Sequence, residues 1–322
     1  MNELHAYFGR ELPGINAFLA AEADRLDGLV RDVARHTLLS GGKRIRPMLA
    51  ILTARALGHT AQDILPIACA VEMLHSATLL HDDVLDGATL RRGNTAAHVK
   101  FGAPEAILAG DVLLALANKL GAEYDIPRLN SLLAQGIMAT AEGEIRELAH
   151  TANPTADRAA YMDIIIGKTA RLIETACRLG AALASRDRAV EDAAGAYGLN
   201  LGIAFQLVDD ALDYDATEKE TGKPLGGDLR EGKMTLPLIL HLESLPAEEA
   251  AQVLTMLKEK RLTPAVAEGI LTAIKEKGLA SKTLEAAEKY VETAVGALAT
   301  LPDCVERTVL IQASKYVLSR RK

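Results

Sequence analysis

The chain has 322 residues, of which 49% are hydrophobic and only 3% aromatic, with no Trp. That length allows one large domain or two ordinary ones, and the wealth of Ala and Leu favours closely packed helices over an all-β fold. A net charge of −7 runs against a nucleic-acid binder, so an anionic ligand would need local basic clusters or a metal.

Helical periodicity runs nearly end to end. The N-terminal MNELHAYFGRELPG has no basic n-region and no apolar h-region, which predicts no secretory signal. Residues 16–37 read as one amphipathic helix. Gly41-Gly42 breaks it, and Pro47 suits the first turn of the next, which runs to about Leu57. Helices follow over 64–86, 104–122, 131–151, 156–184 and 188–214, with Arg91-Arg92-Gly93-Asn94 a polar loop and Gly167-Lys168-Thr169 a short polar break. Residues 221–232 are the most loop-like stretch, with five Gly or Pro among Lys and Asp. Further helices read over 236–245, 247–260, 263–277 and 279–299, and a last one starts near Asp303. No useful strand alternation and no low-complexity linker occurs, so residues 1–322 are expected to form one all-α domain. Apolar stretches are broken by charge short of ~18 residues, so no membrane span is expected. Cys69, Cys177 and Cys304 are distant from one another and read as small buried residues of a reducing compartment.

The chemistry concentrates in an acidic pentad that occurs twice, Asp82-Asp83-Val84-Leu85-Asp86 and Asp209-Asp210-Ala211-Leu212-Asp213. A helix turns once per ~3.6 residues, so the first and last Asp of each copy share a face. Carboxylates stacked there repel, and at a helix C-terminus the macrodipole opposes them too. Mg²⁺ suits such a shelf, because it takes hard oxygen ligands through one or two carboxylates plus substrate phosphates. The two shelves suggest a cavity that clamps Mg²⁺ and a polyanion. Asp83 is rotated off that face and is expected to support a ligand from behind or to face solvent.

Basic residues accompany both copies. Arg91 and Arg92 follow the first. Lys223, Arg230 and Lys233, interleaved with Gly, follow the second, and Gly lets backbone approach a phosphate closely. Lys43 and Arg46 share a helical face and read as a diphosphate seat. Glu142, Glu144 and Glu147 are expected to be structural. A competing pattern is Glu-x-x-His, present at Glu72–His75 and Glu147–His150, as in di-iron carboxylate bundles. It leaves both pentads and the Gly/Lys loop without a role.

Taken in order, GGKRIRP at 41, LLHDDVLDGATLRRG, GDVLLA at 110, GKTA at 167, FQLVDDALDY and GKPLGGDLREGKMTLP resemble the trans-isoprenyl (polyprenyl) diphosphate synthase family over nearly the whole chain. The resemblance implies an all-α barrel around a deep cavity, usually a homodimer. It also implies Mg²⁺, about three ions per active site, on Asp82, Asp86, Asp209 and Asp213. Arg91, Lys168, Thr169, Gln206, Lys223 and Lys233 match family positions around the allylic diphosphate. Lys43, Arg46, His75 and Arg92 match those that seat isopentenyl diphosphate. The product would be a lipid made by a cytoplasmic enzyme.

In this family the residues before the first pentad face the growing chain. Here Ala77 and Thr78 are small, with Met73 and Leu74 one turn deeper. Without aromatic bulk, the product is expected to reach about C30 or longer, as in a quinone side chain. A farnesyl or geranylgeranyl product is the alternative. A class I terpene cyclase shares the fold but lacks the second Asp-rich motif and the GGKRIRP seat. A non-catalytic partner subunit generally loses an acidic motif, and both are intact here.

Overall fold

A computed structural model describes residues 2–215 and 225–319. Helices make up nearly all of it, in agreement with the composition. Among the described residues the strands are the two-residue pair β1 (Leu90–Arg91) and β2 (Asn94–Thr95), antiparallel to each other. Contacts gather the chain into two compact units, each drawn from separate stretches of sequence.

The first unit comprises residues 1–138, 172–198 and 297–313. It opens with two helices, α1 (Asn2–Asp24) and α2 (Gly28–Leu38), where the sequence reading has one helix over 16–37. Asp27 is extended and Gly28 has φ +52°, a conformation glycine adopts without steric cost. α3 (Ile45–Ala56) carries Pro47 in its first turn, as expected. α4 (Ile64–Leu85) is the core helix, with Ile67, Val71, Leu74 and Ala77 fully buried. By length and composition α4 could cross a membrane, but most of its apolar stretch is buried inside the protein.

After β1–β2 and the short α5 (Ala97–Phe101), α6 (Ala103–Ala122) packs extensively along α4. Ala106, Ala109 and Gly110 keep that seam thin. A Cβ on Gly110 would lie 2.4 Å from His81 Nε2. α7 (Pro127–Ala152) starts in this unit, and α9 (Arg171–Ala184) and α10 (Arg188–Asp215) meet where a Cβ on Gly198 would lie 2.8 Å from the Glu174 Cα. Glu191, almost fully buried, takes hydrogen bonds from Arg128, Arg178 and Arg188. Burial opposes its charge, but the three guanidiniums outweigh that and hold its carboxyl below the usual glutamate range.

The second unit comprises residues 139–171, 199–296 and 314–322. α8 (Arg158–Ile165) is capped by Asp157, which accepts from the Ala159 and Ala160 N–H groups. The expected break at Gly167-Lys168-Thr169 is instead a π-helical turn, Ile166–Ala170, leading straight into α9. Backbones touch there: a Cβ on Gly143 of α7 would lie 2.2 Å from the Lys168 nitrogen. α11 (Gly227–Glu231) is one turn between Gly226 and Gly232, both left-handed. α12 (Leu236–Glu243), α13 (Ala247–Lys258), α14 (Pro264–Glu276) and α15 (Leu279–Ala297) follow, and α16 (Val305–Ser319) ends the described chain. Cys69 and Cys177 are buried thiols as expected, whereas Cys304 is partly exposed.

Candidate active site

In the first unit, the end of α4 presents Asp82 half-buried and Asp86 exposed, with Asp86 closing the helix. Asp83 takes the first of its two expected places, behind a candidate ligand. It is only 4% exposed, and Arg91 donates to its Oδ1 through Nε at 2.7 Å and through Nη2. The reason is local. The Ala88 N–H closes onto the Asp83 carbonyl, and the β1–β2 hairpin folds Arg91 back over the helix end. Arg92, at φ +52°, turns the other way and donates to the Gly41 carbonyl. It lies flat on Gly42, where a Cβ would sit 2.7 Å from its Nη1.

Arg92 thereby joins Arg46 and His75 in a cationic nest, with Lys43 exposed on the same loop. Burial, then Arg46 and Arg92, holds the His75 imidazole well below its usual range, so it is neutral. The Arg46 Nε is buried with no hydrogen-bond partner. A buried donor without an acceptor, among like charges, matches an anion seat. The nest is propped by Arg44, 3% exposed and left-handed at φ +49°, which donates to Glu72 at 2.8 Å, to Asn16 at 3.0 Å and to the Leu38 carbonyl. Glu72 is therefore committed to an arginine, which removes it from the di-iron pattern. One turn on, Met73, Leu74 and Ala77 are fully buried, and the half-buried Thr78 donates to the His75 carbonyl at 2.9 Å.

In the second unit, α10 presents Asp209 exposed and Asp213 half-buried. Asp213 accepts from the Gly227 and Asp228 N–H groups at 3.1 and 3.0 Å and so caps α11. Asp210 turns inward and is 2% exposed. Its Oδ2 accepts from the Tyr161 hydroxyl at 2.5 Å, and its Oδ1 accepts from Gln206 Nε2 at 2.7 Å. Gln206 in turn accepts from the Thr169 hydroxyl at 2.8 Å. Three carboxyls here stand above the usual range. Burial and Asp228 push Asp210 up to about 8, burial and Asp213 push Asp228 up to about 7, and burial raises Asp213 despite its two N–H donors.

Lys168, on the π turn, reaches Glu144 at 2.8 Å and also Glu147. Burial works against its charge, but the two glutamates outweigh it and raise its pKa. Glu147 thus serves Lys168, and His150 Nε2 lies 3.0 Å from the Thr155 carbonyl oxygen, so the second Glu-x-x-His is also occupied structurally. Lys233 pairs with Glu231 at 2.7 Å. Lys223 lies outside the described residues.

Among the described residues no cluster of three or more His, Cys, Asp or Glu forms a metal cage by itself. Mg²⁺ does not need one, since substrate phosphates complete its shell. The raised carboxyls of the second unit fit that ion: they are hard oxygen donors in excess negative charge. Sequence reasoning did not single out Arg44, Tyr161 or Asp228. Tyr161 stands two turns before Lys168, a spacing that was available. Arg44 gave no signal apart from its place in GGKRIRP.

Residues 27–274 match the family Polyprenyl synthetase. Octaprenyl diphosphate synthase of Escherichia coli is 35% identical over 320 residues, covering 99% of this chain and 98% of that protein. A polyprenyl synthase from Caulobacter crescentus, solved with calcium and isoprenyl diphosphate, superposes with a TM-score of 0.91 at 36% identity, over 100% of this chain and 98% of the other. A decaprenyl diphosphate synthase from Rhodobacter capsulatus superposes with a TM-score of 0.92 at 32% identity, over 100% and 99%.

Proposed function

The chain belongs to the polyprenyl synthetase family and is a long-chain prenyltransferase, and we propose that residues 1–322 act as one catalytic domain that joins isopentenyl diphosphate to an allylic diphosphate. Repeated additions give a trans-polyprenyl diphosphate of about C30 or longer, because Ala77 and the half-buried Thr78 leave little bulk before the first pentad.

The observation that carries this reading is the state of the second pentad. The groups bonded to Asp210 and Asp213 are neutral donors, and both carboxyls are raised. Such acids favour a divalent cation. Asp82, Asp86, Asp209 and Asp213 are the residues that would hold Mg²⁺, whose Lewis acidity neutralises the diphosphate leaving group. Arg91, Lys168 and Lys233, together with Lys223, bind the allylic diphosphate. Lys43, Arg46 and Arg92 bind isopentenyl diphosphate, and neutral His75 can donate to the same anion.

As the allylic C–O bond breaks, its electron pair leaves with pyrophosphate. The Thr169 and Gln206 oxygens are available to the allylic cation that forms. The isopentenyl double bond then attacks, a C–C bond forms, and a proton passes to the released pyrophosphate. Buried apolar walls such as Met73 and Leu74 exclude water, which would quench the cation.

Exposed Met138, Ile145 and Leu148 lie along one stretch of α7, and α6 exposes Ile107 and Leu108. These support a homodimer. The three free thiols fit a cytoplasmic setting.

The test is product analysis. Purified chain with farnesyl diphosphate, isopentenyl diphosphate and Mg²⁺ is expected to give a long product by reverse-phase chromatography. Ala77→Tyr is expected to shorten it. Wild type that stops at farnesyl, or consumes the allylic substrate without isopentenyl diphosphate, contradicts the reading.

A further inference from the structure

The β1–β2 hairpin carries Arg91 and Arg92, assigned above to the two diphosphates, and it is a slight structure. Each strand is two residues long, and a two-stranded hairpin by itself is marginal in water. Its turn is Arg92-Gly93, with φ +52° and +78°. A tight hairpin turn wants both residues left-handed, which glycine accepts freely and arginine only against its own Cβ. Such a backbone persists where the surroundings fix it.

Side-chain contacts do so at both ends. Arg91 donates to Asp83, and Arg92 donates to the Gly41 carbonyl. Those guanidiniums are also the groups that an incoming diphosphate attracts, so neither is a fixed anchor once substrate binds. A further contact does not involve them. His36, half-buried on the last turn of α2, places Nε2 2.8 Å from the Thr95 carbonyl oxygen. A carbonyl oxygen only accepts, so Nε2 donates, whether or not Nδ1 also carries a proton. Thr95 pairs with Leu90 at the base of the hairpin, away from the Arg92-Gly93 turn.

We propose that His36 is a positioning residue that holds the base of the β1–β2 hairpin through the Thr95 carbonyl and so places Arg91 and Arg92 for the two diphosphates. The proposal rests on the prenyltransferase reading. The imidazole is itself held in place. The Phe101 ring meets it edge to face, with centroids 5.4 Å apart and planes at 77°, and Lys100 Nζ lies 3.5 Å from Nδ1. Both residues belong to α5, which follows the hairpin directly. On the other side, Ser40 Oγ lies 2.7 Å from the His36 carbonyl oxygen and ties the last turn of α2 to the loop that carries Gly41. The end of α2 and that loop therefore meet the hairpin twice, at its base through His36 and at its turn through Gly41. Between these points is a small cavity lined by Thr37, Ser40, Asp83 and Asn94, which gives the hairpin room to shift if the His36 bond is lost.

A diphosphate is held before and during bond breaking alike, so misplacing the arginines raises KM more than it lowers kcat. Because one hairpin carries both, the two KM values move together. Asp83 differs, since its partner is Arg91 alone.

Steady-state kinetics with farnesyl diphosphate, isopentenyl diphosphate and Mg²⁺ test this, with thermal melting as the check on folding. His36→Phe keeps a ring against Phe101 and removes the donor. It is expected to raise both KM values by about threefold to tenfold, with kcat within about threefold of wild type. His36→Gln returns an N–H donor to the place of Nε2 and is expected to bring both KM values back to within about twofold of wild type. Either KM at its wild-type value in His36→Phe, a loss confined to kcat, or a His36→Gln enzyme no better than His36→Phe overturns the proposal. If His36→Phe does not fold, His36→Leu is read in its place against the same outcomes. Wild type that makes no prenyl product from these substrates would instead sink the functional reading.

Discussion

The two pentads carry the same acid spacing but sit in opposite electrostatic settings. In the first unit the inward acids meet guanidinium groups: Asp83 meets Arg91, Glu72 meets Arg44, and Glu191 meets three arginines. In the second, Asp210 and Asp213 meet a phenol, an amide and backbone N–H groups. Hydrogen bonds orient a carboxylate without cancelling its charge, so burial and neighbouring acids win and the pKa rises. Compensated acids build structure. Uncompensated ones keep a demand for a cation, and that demand is what a Mg²⁺-dependent site needs.

This contrast can be broken experimentally. The largest effect is expected at Glu72. Its carboxylate and the Arg44 guanidinium are both almost fully buried, and removing one partner of such a pair costs about 3–5 kcal/mol. Glu72→Ala is expected to lower chemical-denaturation stability by that amount. Wild-type stability would remove Arg44 as the prop of the cationic nest.

Glu191 comes next and has a pH signature. Its folded pKa is depressed, so its contribution is fully present above the usual glutamate range and is lost as pH falls through the folded value. Wild type is expected to lose melting temperature on acidification through that window. Glu191→Gln is expected to be less stable by about 2 kcal/mol at neutral pH and flatter in acid. A Glu191→Gln profile parallel to wild type would show that the arginine cluster is not carrying the effect.

Asp83→Asn sharpens the comparison at the site itself. It frees Arg91 without touching Asp82 or Asp86. The expected result is a rise of about tenfold in KM for the allylic diphosphate, with kcat changed less. An equal fall in kcat with KM constant would contradict a diphosphate-binding role for the Arg91 that Asp83 holds.

The fold class and the shared helical face of each pentad's outer acids were legible because they depend on period and spacing. Asp82 and Asp86 share a helical face at i, i+4, and Lys43, Arg46 and the Gly/Lys loop stand out as charge among glycine. What sequence spacing cannot give is which way the odd acid turns. Asp83 and Asp210 each sit about 100° off the shared face, and their partners, Arg91 and Tyr161, come from a hairpin and from another helix. The π turn was misread for a related reason. Gly167 suggests a break, but its missing Cβ serves the contact with Gly143 while the helix continues. The gap over residues 25–27 was missed because residues on both sides keep an amphipathic pattern across it.

The central claim is that the outward acids of both pentads answer to a divalent cation. Its most direct test is condensation rate against Mg²⁺ concentration for wild type, Asp82→Asn and Asp209→Asn. Each variant is expected to lose on the order of a hundredfold or more in kcat and to need more Mg²⁺ for half-maximal rate. Turnover and Mg²⁺ requirement unchanged in either variant would contradict the account.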